Sequence, residues 1–171
     1  MKRILILLLF FISIGVHAQS INIDSVKINN IAVRAINSKK DLTQFPAVDS
    51  IVAVFEELEI PVSDSFIYIG KSRFRYYQRS NTCEPAWVTF DDKIEVVTVN
   101  SHQLNQQTSL DDFKKLFPRA VANAYPVSVL KKKYICCSVW LINPDGSKSD
   151  RKLEFFFLDN KLMKVNFWQP S

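Results

Sequence analysis

Glycine, histidine and cysteine are scarce in this chain, and each shortage removes a kind of chemistry. The three glycines among 171 residues are Gly15, Gly70 and Gly146, so no glycine-rich loop can be written to cradle a phosphate. Of the two histidines, His17 lies in an export signal described below, and His102 sits in a polar stretch without a nucleophile motif. Any Ser-His-Asp or Cys-His site would have to use His102, so no catalytic residue is assigned and the chain is read as no enzyme. Cys83, Cys136 and Cys137 show no Cys-x-x-Cys spacing, which argues against zinc, and no metal or cofactor is expected. Three thiols allow at most one internal disulfide. Neighbours in a strand point to opposite faces, so Cys83 can reach Cys136 or Cys137 but not both, and the sequence leaves the choice open.

Charge of one sign is also lacking. Removing Lys2 and Arg3 from the 22 basic residues leaves 20 against 17 acidic ones, a net of +3. So small an excess gives no electrostatic footprint for nucleic acid. Those two residues open a secretory signal: a positive start, an apolar run from Ile4 to Ile14, and Val16-His17-Ala18 as the cleavage site. Its short form, followed by Gln19, resembles a bacterial export signal. The run is short for a bilayer span, and no cysteine follows it to take a lipid. The expectation is a protein exported to the periplasm or secreted, with no stable membrane anchor, divided into signal 1–18, an N-terminal repeat 19–104 and a C-terminal repeat 105–171.

What the chain does contain is β-hairpin patterning. Leu153 to Leu158 and Lys161 to Trp168 flank Asp159-Asn160, residues that tolerate positive φ in a tight turn. Upstream, Phe90-Asp91-Asp92-Lys93-Ile94 lies over Leu158-Asp159-Asn160-Lys161-Leu162, predicting a first hairpin over 86–99. Ile21 to Ile36 alternates weakly, as a half-buried strand would. Ser38 and Asp41 fit a capping box, as do Ser109 and Asp112. Val48, Ile51, Val52, Phe55 and Leu58 recur at helical spacing, and a helix is expected there. Phe66 to Arg79 alternates with period two, Tyr134 to Ile142 reads as a strand, and Asn143-Pro-Asp-Gly146 as a turn. Each half then reads helix, strand, strand, strand. The predicted class is α+β: an antiparallel sheet with helices packed on one face, as two tandem helix-plus-three-strand repeats.

Two acidic pairs have structural roles ready for them, Asp91-Asp92 at a turn and Asp111-Asp112 at a helix start. The basic stripe Lys71, Arg73, Arg75 and Arg79 must meet water or an anion. Both faces of the C-terminal hairpin are apolar, and the predicted helices are too few to cover both. On the pairing expected across Asp159-Asn160, Phe157 opposes Leu162 and Phe155 opposes Lys164, with Trp168 farther along. Trp87 takes the matching face of the first hairpin. Aromatic rings interleaved with lysine and arginine have the composition of protein-binding hot spots. The candidate partner-binding residues are therefore Trp87, Phe155, Phe157, Lys164, Trp168, Lys71, Arg73 and Arg75.

This helix-then-meander plan, exported and poor in catalytic groups, resembles the β-lactamase-inhibitor-protein fold, in which two small αβ repeats form a curved sheet that grips another protein. The resemblance implies an inhibitor or immunity-type role with a protein partner, or self-association, and carries no residue-level roles. The alternative is a periplasmic carrier of a small apolar or anionic ligand, with Arg73 or Arg75 at the mouth of its cavity.

Overall fold

The computed structural model describes residues 20–45, 48–53 and 65–170. The expected export signal and positions 54–58 of the expected helix lie outside these. In chain order the strands are β1 (Ser20–Asn22), β2 (Lys27–Ile28), β3 (Ile31–Ala32), β4 (Ser50–Ala53), β5 (Ser65–Ile69), β6 (Ser72–Tyr77), β7 (Thr82–Thr89), β8 (Val97–Val99) and β9 (His102–Leu104). Helices α1 (Leu110–Leu116) and α2 (Pro118–Ala122) follow, then β10 (Tyr125–Val129), β11 (Lys132–Ile142), β12 (Lys148–Leu158) and β13 (Lys161–Trp168). Short 3-10 turns occupy Ile23–Ser25, Val33–Ala35 and Lys39–Gln44.

Nine strands form one large sheet in the order β1-β11-β12-β13-β7-β6-β5-β4, with β10 also paired to β11. It is mixed, because β1 runs parallel to β11 while the other pairs are antiparallel. A second sheet of four short strands has the order β3-β2-β8-β9. The protein is thus mostly β, which corrects the α+β expectation of helices packed on one sheet face in two tandem repeats. Three local departures explain the difference.

First, Ser50–Ala53 is a strand paired with β5 rather than the start of a helix. Isoleucine and valine at 51 and 52 prefer the extended chain, and an available sheet edge outweighs helical spacing. Second, Ile21 to Ile36 is no single strand. Asn22 accepts from the Asp24 backbone N–H, and Asn29 and Asn30 adopt positive φ, so the chain breaks into short pieces. Third, the first expected hairpin does not form. After Asp91 the chain leaves the large sheet, and β8 pairs with β2 and β9, while both sides of β7 are taken by β6 and β13.

The C-terminal hairpin forms as read, with Asp159 and Asn160 both at positive φ. Phe157 faces Leu162, but Phe156, not Phe155, faces Lys164. Met163 is the extra residue of a bulge, and it moves every later side chain of β13 to the opposite face from the one the sequence suggests.

One hydrophobic cluster joins the inner face of the large sheet to everything packed on it. Ile67, Phe74, Val88, Cys137, Leu153, Phe155, Phe157 and Val165 come from the sheet, Ile28, Val97, Val99 and Leu104 from the small one, and Phe113, Phe117 and Ala120 from the helices. Ser109 caps α1 by accepting from the Asp112 backbone N–H at 3.0 Å, and Phe113 lies 4.7 Å from Phe155 and 5.2 Å from Phe157, ring to ring.

The disulfide expectation is also corrected. Cys83 on β7 and Cys137 on β11 are separated by β12 and β13. Three inter-strand steps of about 4.8 Å put them roughly 14 Å apart, against the ~4.4–6.8 Å between Cα atoms that a bridge requires. All three cysteines are free and buried.

Candidate functional site

Small helices and the second sheet occupy the inner face, and among the described residues the outer face of the large sheet is formed by its own side chains. Alternation sends Arg73, Arg75 and Tyr77 outward from β6, Lys164, Asn166 and Trp168 from β13, and Lys152, Glu154 and Phe156 from β12, and on β7 a bulge at Ala86 lets both Glu84 and Trp87 face outward. A row of rings and cations crosses the strands. The Arg73 guanidinium lies 4.8 Å from the Phe66 ring centre and 5.5 Å from that of Trp87. Next, the Lys164 ammonium lies 4.4 Å from Trp87, 5.0 Å from Phe156 and 5.0 Å from Tyr134. Each such contact is worth about 0.5–2 kcal/mol, more as water is excluded. Trp87 and Phe156 also touch, at 5.3 Å between centres.

Neither Arg73 nor Lys164 has a carboxylate within ion-pair distance among the described residues. Burial holds the Lys164 ammonium below its ordinary pKa, and the positive charge of Arg73 adds to this. Burial likewise lowers Arg73. Both cations are therefore partly stripped of water without an acid to replace it. A second, smaller cluster stands at the other end of the hairpin, where Lys152 lies 4.7 Å from Trp168 and 5.9 Å from Trp140. Lys152 is paired with Glu154 at 2.8 Å, and Asn166 donates to the same carboxylate at 2.8 Å. Trp140 remains half exposed.

The structure divides the residues singled out in the sequence. Trp87, Arg73, Arg75, Lys164 and Trp168 come together on the outer face. Phe155 and Phe157 do not join them: they are 0% and 2% exposed and face α1 on the inner side, so their role is packing. Lys71 sits in the β5–β6 turn, where its backbone N–H donates to Asp91 at 2.7 Å. That carboxylate also accepts from the backbone of Lys93 and Ile94, the turn-holding duty expected of it. His102 is exposed on β9, and among the described residues no three His, Cys, Asp or Glu side chains group to hold a metal ion. Sequence reading missed Phe66, Tyr134, Trp140, Lys152 and Phe156. The alternation placing Tyr134 and Trp140 on one face of β11 was legible, but the Met163 bulge that brings Phe156 to Lys164 was not.

Comparison with known proteins adds no relative: no family model, curated protein or solved structure matches the chain. No helix among the described residues is long and apolar enough to cross a membrane.

Proposed function

We propose that this protein is an exported, non-catalytic binding module that holds an acidic segment of a partner protein on the outer face of its large sheet. An inhibitor or immunity-type role is the form such binding would take. The observation that carries the reading is the row Phe66, Arg73, Trp87, Lys164, Phe156 and Tyr134. Two half-buried cations are set among four flat rings, with no acid beside them among the described residues. A partner carboxylate arriving there supplies the missing counter-charge where water is already thin, which strengthens the attraction. The rings add contact area at low entropic cost, the pattern of interface hot spots.

The test is capture with tagged protein spanning Gln19 to Ser171 from extracts of its own source, beside a Trp87→Ala/Lys164→Met protein. A single identified partner should bind the unmodified protein in simple stoichiometry, more weakly as salt rises, and at least about ten-fold more weakly to the variant. Equal binding by both proteins would remove the outer face from the account.

A further inference from the structure

At one place the large sheet comes apart. The ladder between β13 and β7 has three pairs, Lys164–Thr89, Val165–Val88 and Asn166–Trp87. Beyond them Phe167 and Trp168 stay paired to β12, and Thr82 to Pro85 stay paired to β6, so the two strands diverge. Side chains rather than backbone cross the gap. Arg75 Nη1 donates to the Phe167 carbonyl at 3.3 Å, and Gln169 Nε2 donates to Glu84 Oε1 at 2.8 Å and to the Tyr77 hydroxyl at 3.2 Å. The gap holds a cavity of about 300 Å³.

Because the sheet is open there, the cavity draws on both of its faces. From the inner side come apolar walls: Ile23, Val33, Ile36, Cys83, Leu141 and Phe167. From the outer side come Arg75, Lys152 and Glu84; Arg151, beside an irregular stretch of the β11–β12 ladder, reaches Glu84 at 3.3 Å, and Arg34 also lines the cavity. Four cations thus line it against one carboxylate. Glu84 is already engaged, by the Tyr77 hydroxyl at 2.8 Å, Gln169 at 2.8 Å and Arg151 at 3.3 Å. The Arg34 and Lys152 charges are met from outside the lining, by Asp24 and Glu154. Counting those two acids leaves these seven groups one charge positive. Arg75 is the group least provided for. Its side chain is 14% exposed, yet its five N–H groups find the Phe167 carbonyl and, at 3.9 Å, the Glu84 carboxylate.

We infer that this cavity is a binding site for a small amphiphilic carboxylate, its head on Arg75 and Arg151 and its short apolar tail against Ile36, Val33 and Leu141. The size, at the lower end of small-molecule sites of about 300–1,000 Å³, selects a short acyl chain over a long one. Preformed apolar walls with a few convergent donors are what such a ligand needs, and Arg presents the paired donors that a carboxylate accepts. The site stands apart from the partner-binding reading: it shares Arg75, Lys152 and Trp168 with the outer face but uses neither Trp87 nor Lys164.

Calorimetric titration with octanoate tests it, with 1-octanol carrying the same tail without charge and acetate the same head without tail. Octanoate should bind saturably, at least about ten-fold more tightly than either control. Arg151→Gln, at a half-exposed position, should weaken octanoate about five-fold or more. Ile36→Trp should fill the tail space and abolish binding, while Trp87→Ala/Lys164→Met leaves it unchanged. Absence of saturable octanoate binding, 1-octanol binding as tightly as octanoate, or an unchanged affinity in Arg151→Gln would each overturn the assignment. Should Ile36→Trp fail to fold, the Arg151→Gln and 1-octanol comparisons decide alone.

Discussion

The two faces of the β12–β13 hairpin carry similar amounts of aromatic carbon and use it differently. On the inner face Phe155 and Phe157 meet other apolar groups: Phe113 and Phe117 from the helices, with Val165 and Leu162 across the hairpin. On the outer face Phe156 meets Trp87, Tyr134 and the Lys164 ammonium. The inner rings are held by expulsion of water, which asks nothing of direction. The outer rings are interleaved with cations, so that face stays half in water and keeps a charge. The inner face is closed by apolar packing, whereas on the outer face Arg73 and Lys164 have no carboxylate within ion-pair distance among the described residues.

This contrast can be broken most forcefully from the inner side. Phe155→Ala removes a fully buried ring and leaves a cavity under α1. It should cost about 3–5 kcal/mol, read as a lower midpoint in urea unfolding. A change at a turn should cost less. Gly70 sits at φ +59, and a Cβ there would run into the Asp91 carboxylate that holds the β5–β6 turn. Gly70→Ala should therefore lose about 1–3 kcal/mol from backbone strain alone, and more if Asp91 is displaced, as the same urea measurement will show.

Buried thiols extend the comparison to pH. Burial pushes Cys83 and Cys137 up to about 12, whereas an unfolded thiol ionises near ~8.5. Raised acids keep their contribution to stability below the unfolded value and lose it as pH climbs toward the folded one. Thermal unfolding should thus show stability falling from about pH 8.5 upward, less steeply in a Cys83→Ala/Cys137→Ala protein. A thiol reagent at neutral pH should find no reactive cysteine in the native protein and three after denaturation.

How much of this was legible in the sequence depended on whether local chemistry or available partners decided each element. The capping box at Ser109 and the Asp159-Asn160 turn rest on neighbours in sequence, and both were readable. The two look-alike turns show the other case. Asp159-Asn160 reverses the chain through positive φ at both residues. Asp91, in the matching position, spends its carboxylate on the backbone of Lys71, Lys93 and Ile94, and the chain then departs to a second sheet. Nothing in the sequence of 86–99 states that β7 already has neighbours on both sides. The candidate site was half visible for a similar reason. Alternation gave Arg73 and Arg75 their shared face, but Trp87 was placed through a hairpin that does not form, and one inserted residue, Met163, exchanged Phe155 for Phe156 beside Lys164.

The central claim is that the outer cations serve recognition rather than the fold, and Arg73→Met/Lys164→Met separates the two. Methionine keeps apolar length against Phe66, Trp87 and Phe156 while removing both half-buried charges. Urea unfolding of this protein should give a midpoint equal to or above that of the unmodified chain, since the desolvation cost disappears, with affinity for the captured partner falling at least about ten-fold. A loss of several kcal/mol with partner affinity intact would contradict the account and make the outer row part of the structural core.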